Sequence, residues 1–401
     1  MNERTRPMAE QTVIAGMART PVGNFNGAFK GVAATRLGAV AIDAALQRSG
    51  VDKDRVSDVW MGCVLPAGLG QAPARQAALG AGLPQSAGAT TVNKVCGSGM
   101  KAVMAADDAL RAGSADLCIA GGMEAMTNAP HLLPTGRGGI KFGHGQIFDH
   151  MAYDGLEDPY HDHAAMGVFA DKCARERQIS REDQDVYAAR SVALAQRAVA
   201  DGTFKEEIAP VTVKTRKGEM TVVDDEKPGL VNAEKIASLP PAFEKAGTVT
   251  AGNASAISDG AAALVLMRDS DVSDYGAAAP IARIVGQASH AQAPEWFTTA
   301  PIGAIEKLLA KTGWSTDDVD LFEINEAFAV VALAAIRALN LPEEKVNVRG
   351  GAIALGHPIG ASGARVLVTL IAALKQTGGS RGVASLCIGG GEATAVAVEL
   401  I

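Results

Sequence analysis

Two stretches far apart in this chain repeat one another, and that duplication limits the folds open to it. Leu37-Gly38-Ala39-Val40 leads through Gly50 to Val56; Ile302-Gly303-Ala304-Ile305 leads through Gly313 to Val319. Leu117-Cys118-Ile119-Ala120-Gly121-Gly122 is echoed by Leu386-Cys387-Ile388-Gly389-Gly390-Gly391. Between the markers lie Gly99 with a helical pattern in the first half and Gly363 with another in the second. Self-similarity at this spacing means one structural unit used twice. The first copy reads as strands at Val13–Ala15, Val56–Val64 and Asp116–Ala120, with helices at Leu37–Ser49, Pro73–Leu79 and Met100–Leu110. Strands alternating with helices make an α/β fold of βαβ-type units. Two such copies pack as a pseudo-dimer, and sites form where their matching loops converge.

Between Met126 and about Ser258 the texture changes. His131–Tyr160 is rich in Gly, His, Asp and Pro and reads as long covering loops. Ser180 caps a helix over Glu182–Ala200, Lys214–Lys217 is a small basic cluster, and Glu226–Ala246 is charged and irregular. This is an insertion, not a linker.

At 401 residues the chain needs more than one ordinary core. Its net charge of −7 argues against nucleic acid or an anionic membrane as main partner. The 5 cysteines are odd in number and form no CxxC pair, which disfavours a disulfide framework and a zinc or other metal site. A reducing cytoplasm is the expected location. Met1–Thr20 carries charges of both signs and no long apolar run, so no signal peptide or membrane span is expected there.

One stretch carries chemistry. Thr90–Val95 is extended, Met100 begins a helix, and Cys96 sits at the switch, followed by Gly97-Ser98-Gly99. A thiolate before a helix start is stabilised, but the helix end supplies only ~0.3–1 kcal/mol, at best ~2. That moves a pKa by about one unit, so a nucleophile here needs a basic partner; otherwise Cys96 is one more small buried cysteine. The second half offers His357, in Gly356-His357-Pro358-Ile359-Gly360 just before an Ala361–Leu374 helix, a loop shaped for access. Cys387 ends a buried strand before three glycines, in the same local setting as Cys118. Asn325, between Glu323-Ile324 and Glu326-Ala327-Phe328, is a polar site group or a helix cap. Gly252-Asn253-Ala254-Ser255 with Ser258-Asp259-Gly260 is a turn that positions a ligand, or only a turn. Two nucleotide readings fail. Gly389–Thr394 lacks the third glycine of a dinucleotide fingerprint, and His357 replaces the lysine of a P-loop.

Asn93–Val103, Asn347–Gly363, Gly382–Ala395 and Asn325–Phe328, in this order, resemble the signature blocks of the thiolases, and the resemblance covers nearly the whole chain. It implies a five-layered αβαβα core of two duplicated halves with an inserted loop domain. The chain would divide into 1–126 (completed by 258–278), an insertion at 127–257 for coenzyme A and oligomer contacts, and 279–401. It implies that Cys96 carries an acyl group as a thioester and that His357 takes its proton. His357 then holds the substrate thioester oxygen together with a water on Asn325. Cys387 would move the α-carbon proton, and the N–H groups of Cys96 and Gly389 would form a second oxyanion hole. Ser255, Phe243 and Ala251 match pantetheine contacts, with Leu156 near the same ligand. Coenzyme A thioesters are then substrates, no cofactor is permanently bound, and the chain is a homo-oligomer, a dimer or a dimer of dimers.

Three positions depart from the family pattern. A pocket His-Met-Gly is Ala165-Met166-Gly167, a methionine near the acyl group is Phe297, and Glu392-Ala393 follow the glycines where Met-Gly is usual. The first two broaden the expected substrates beyond acetoacetyl-CoA. The rivals are a decarboxylating ketoacyl synthase, which would carry His or Asn at Cys387, and a non-catalytic acyl-CoA carrier, which would not need the four residues together.

Overall fold

The computed structural model describes residues 10–216 and 218–401. The first nine residues of the expected first half and Lys217 of the basic cluster lie outside them. The first half supplies strands β1 (Thr12–Arg19), β2 (Asp58–Gly62), β3 (Gly88–Val92), β4 (Leu117–Ala125) and β5 (Ser258–Arg268). The second supplies β6 (Ala282–Ala291), β7 (Leu321–Ile324), β8 (Arg381–Ile388) and β9 (Glu392–Leu400). Their order is β7-β8-β9-β6-β1-β5-β4-β2-β3. Read outward from the centre, each half runs antiparallel, antiparallel, parallel. The counterpart of β3 is reduced to one parallel bridge, Phe322 to Val346. The half-sheets join where Thr12–Ile14 pairs antiparallel with Ala282–Ile284.

The helices are α1 (Ala34–Ser49), α2 (Pro73–Gly80), α3 (Ser98–Ala112), α4 (Met166–Glu176), α5 (Arg181–Ala200), α6 (Ala300–Thr312), α7 (Ala329–Leu339), the single turn α8 (Ala352–Leu355) and α9 (Ile359–Thr377). They complete five layers, because both faces of both half-sheets are buried. Along β5, Ala261, Ala263, Val265 and Met267 pack with α1 and α2, while Ala262, Leu264 and Leu266 pack with α3 and α9. Along β9, Ala393, Ala395 and Ala397 turn toward α6 and α7, and Val396 and Val398 toward α3 and α9. Strands buried on two faces lose the polar-out alternation and read as unbroken apolar runs. That explains why α9, long and apolar enough to cross a membrane, is a buried core helix.

The α3–α9 crossing positions the site. A Cβ on Gly363 would lie 2.3 Å from the Met100 nitrogen, so the two backbones touch. This contact brings the N-terminal ends of both helices together, and with them the loops that precede them.

Two expectations need correction. The strand expected at Asp116–Ala120 runs on to Ala125, through the glycines. Gly122 has no room for a side chain, since a Cβ there would meet the Gly360 carbonyl oxygen at 2.0 Å. Nor are Cys118 and Cys387 in the same setting. Asp58 pairs with Cys118 and its equivalent Leu321 pairs with Gly382, so Cys118 corresponds to Gly382, five residues before Cys387. Cys118 faces the central helix layer; Cys387 faces the α6–α7 side.

The insertion is anchored by buried charge. Arg19 pairs with Glu207 at 2.5 Å and with Asp225 at 2.7 Å, all fully enclosed. Within it, α5 begins with a complete capping box between Ser180 and Asp183.

Candidate active site

Cys96 follows Val95, which adopts the left-handed conformation (φ 44°), rare for a β-branched residue. The kink ends the extended run, and Gly97 then opens α3. Two backbone N–H groups, those of Gly389 and of Cys96 itself, point at the sulfur. They favour a thiolate, but burial disfavours it more, and the net effect pushes the Cys96 thiol up to about 11. The modest depression expected from a helix start is therefore overturned by desolvation. Cys387, at the end of β8, is more deeply buried than the half-buried Cys96 and is pushed well above an ordinary thiol, first by burial and then by Cys96 nearby. Both sulfurs rest as thiols.

His357 is held neutral: burial, then the charge of Arg365, lowers it to about 3. Its tautomer follows from its partners. The Ser362 hydroxyl donates to the Pro358 carbonyl at 2.9 Å, so at 2.6 Å from His357 Nδ1 it can only accept. Nδ1 therefore carries the hydrogen and Nε2 keeps its lone pair. Asn325 Nδ2 lies 3.5 Å from Nε2. Asn325 does not cap α7, which starts at Ala329 with Phe328 before it. It stands at the end of β7 behind the imidazole, its backbone N–H bonded to Ser385 at 3.0 Å.

Cys96, His357, Cys387 and Gly389 line one chamber of about 60 Å³, with Phe297, Phe328, Met166, Leu156 and Ser255 in its walls. The chamber adjoins a larger cavity of about 550 Å³ lined by Leu156, Ala165, Met166, Phe243, Ala251 and Ser255. Gly167 makes room for the Phe243 ring, since a Cβ there would meet it at 2.2 Å. Every residue expected around the ligand thus lines one of the two spaces, and Asn325 alone of the expected site stands behind them. Ala165 lines only the outer cavity, Phe297 only the inner chamber, and Met166 both. Of the turn expected over Gly252–Ser255 and Ser258–Gly260, the second part is instead the start of β5, while the first is pinned by backbone bonds. Asn253 and Ser255 bond to Ala329 and Ala327 at 2.8 and 2.9 Å, fixing Ser255 beside the chamber.

Several polar residues at the site escaped the sequence reading. Glu124, at the end of β4, is buried and accepts N–H groups from Val64, Leu65 and Gly360 at 2.9, 3.2 and 2.9 Å, tying the His357 loop to the first half. Burial pushes it up to about 7. The carboxylate of Glu326, beside Asn325, accepts from Tyr187, Ser191 and Asn347. It holds the insertion, not a substrate. Lys227 lines the outer cavity, and burial lowers it to about 8. Acidic residues closing apolar strands were the available signal for Glu124 and Glu326. Among the described residues, no cluster of three or more His, Cys, Asp or Glu could hold a metal ion.

A half-buried thiol beside a neutral imidazole base, with backbone donors aimed at the sulfur and a second thiol sharing the chamber, is the arrangement of a thiol-dependent acyl-transfer enzyme. Residues 12–270 match the thiolase N-terminal domain and residues 278–400 the thiolase C-terminal domain. The chain is 52% identical over 391 residues to acetyl-CoA acetyltransferase 2 of Arabidopsis thaliana, covering 97% of this chain and 96% of that protein. It is 48% identical over 397 residues to the acetyl-CoA acetyltransferase of Yarrowia lipolytica, covering 99% and 98% of the two chains. The crystal structure of the Bacillus anthracis acetyl-CoA acetyltransferase superimposes with a TM-score of 0.95 at 42% identity, covering 98% of this chain and 99% of that one. The chain belongs to the thiolase family.

Proposed function

We propose that this thiolase interconverts two molecules of acetyl-CoA with acetoacetyl-CoA and free coenzyme A. The observation that carries the reading is the shared chamber: two thiols of different surroundings and one neutral base line a single space of about 60 Å³. The names of the relatives at 52% and 48% identity support the acetyl group as cargo.

In the forward direction Cys96 Sγ attacks the acetyl-CoA carbonyl while its proton passes to His357 Nε2. With the thiol near 11 and the imidazole near 3, a resting thiolate–imidazolium pair is disfavoured. Proton transfer therefore accompanies carbon–sulfur bond formation, and the proton leaves with the coenzyme A thiol. Cys387 then passes its own thiol proton to His357 Nε2 and, as the thiolate, takes a proton from the methyl carbon of a second acetyl-CoA. The enolate oxygen is held on the His357–Asn325 side, and the enolate carbon attacks acetyl-Cys96. The N–H groups of Cys96 and Gly389 hold the oxyanion of that step, and Cys96 departs from acetoacetyl-CoA as a thiolate that takes the proton held on His357 Nε2. Two cysteines are needed because acyl transfer and carbon-acid deprotonation are separate tasks.

The wider cavity accepts the pantetheine arm, with Lys227 available to an anionic part of coenzyme A. The enzyme works in the cytoplasm as a homo-oligomer in acyl-CoA metabolism. The five free thiols support the first point. Exposed apolar side chains on the 131–148 loop, Leu133, Ile140, Phe142 and Ile147, support the second, and light scattering of the purified protein tests it.

Mixing purified protein with acetoacetyl-CoA and coenzyme A should consume the ketothioester and yield acetyl-CoA. Turnover only of a malonyl thioester with loss of carbon dioxide would favour a ketoacyl synthase. Binding without turnover would favour a carrier.

A further inference from the structure

The side-chain amide of Asn325 is useful in only one of its two orientations. Its –NH₂ end must face His357 and the developing oxyanion, because its carbonyl end would set a lone pair against the lone pair of His357 Nε2 and against the negative oxygen. Amide ends are nearly equal in size, so packing cannot choose between them; only a partner of fixed hydrogen-bond polarity can. Arg365, on the second turn of α9, is such a partner. A guanidinium has donors and no acceptor. Its Nη2 lies 3.3 Å from Asn325 Oδ1, and Nη1 donates to Glu323 Oε1 at 2.8 Å. Both side chains are enclosed, with 3% side-chain exposure each, and Glu323 lies on β7, two residues before Asn325, which directly follows the strand.

We propose that Arg365, held by Glu323, is a positioning residue that fixes the Asn325 amide with its –NH₂ end toward His357, and so sets the polarity of the oxyanion site used by the enolate. The assignment rests on the thiolase reading above. Arg365 touches no substrate. Its charge also lowers His357, an effect that a lysine at this position would keep; what the guanidinium fork adds reaches the chemistry through the amide it orients. The N–H groups of Cys96 and Gly389, which aim at the nucleophile, do not depend on it. The two half-reactions should therefore respond differently to its loss.

The test is a double-mutant cycle. Arg365→Lys keeps a cation for Glu323 but removes the fork that reaches Asn325. The rate of Cys96 acetylation by acetyl-CoA should stay within about threefold of wild type, and the KM for acetoacetyl-CoA should be little changed. The kcat for thiolysis should fall roughly ten- to a hundredfold, short of the 10²–10³ expected for losing an oxyanion donor outright. In the Asn325→Ala background, Arg365→Lys should cost no more than about twofold further, since no amide is left to orient. If it lowers turnover there by the same factor as in wild type, its role is structural and the inference is overturned. Should Arg365→Lys fail to fold, Glu323→Gln with Arg365→Gln removes both charges together and enters the same cycle with the same expected non-additivity. If Asn325→Ala itself keeps wild-type turnover, the oxyanion reading of the site fails, and this inference fails with it; loss in Asn325→Ala with full additivity overturns the inference alone.

Discussion

At the residue scale the central fact is that neither sulfur rests as a thiolate. Burial overrides the two N–H groups at Cys96, so its reactivity toward iodoacetamide should be low at pH 7 and rise about tenfold per pH unit toward 11. The sign follows from the raised pKa: the thiolate is the reactive form, and it grows as pH approaches 11 from below. A rate plateau already reached near pH 8, read by mass spectrometry of the Cys96 peptide, would contradict this. His357 titrates near 3, so the acid limb of the pH–rate profile above pH 5 should not report its protonation. The residues that meet in the inner chamber were legible in the sequence because small residues around Cys96, His357 and Cys387 mark loops built for close approach. The groups that orient them were not. Ser362, Arg365 and Glu124 lie in helices or strands where a polar residue reads as background, and the partners of Arg365 and Glu124 come from distant segments.

At the element scale the α3–α9 crossing holds the site together. Adding a methyl group at Gly363 drives it into the backbone of Met100, 2.3 Å away. Gly363→Ala should therefore destabilise the protein by about 1–3 kcal/mol, the usual cost of overpacking. It should also reduce turnover by separating the Cys96 and His357 loops. Urea unfolding with parallel activity assays checks both, and unchanged stability would mean that the two helices slip apart at little cost. Element boundaries were legible to within a few residues where periodicity was strong. They failed at β4, because glycines signal a turn in sequence while here they admit the Gly360 backbone. The same effect misaligned the two Leu-Cys-Ile stretches: the echo is real in letters but displaced by five residues in the pairing register.

For the whole molecule, the duplication predicted two packed copies of one α/β unit, and the resemblance to thiolases implied their five-layered order; the structure supplies the physical reason, since each half-sheet buries both faces. What lay beyond sequence was the division of the site into an inner chamber and an outer cavity. That division reassigns the departures from the family pattern. Phe297 closes the inner chamber, so Phe297→Ala should raise kcat/KM for 3-ketoacyl-CoA substrates a few carbons longer relative to acetoacetyl-CoA, by a factor of about 10 or more if one or more methylenes gain room. Ala165 lines the outer cavity, so Ala165→His should raise KM for coenzyme A thioesters and leave the chain-length ratio nearly unchanged. Equal effects of the two variants on that ratio would merge the two spaces into one. The account stands or falls on the separation of labour between the two cysteines. The most direct measurement is mass spectrometry of Cys387→Ala after incubation with acetyl-CoA, alongside an assay for acetoacetyl-CoA. The account predicts one acetyl group on Cys96 and almost no acetoacetyl-CoA. Absence of the acetyl-enzyme in a folded Cys387→Ala protein, or its presence on another cysteine, would contradict it.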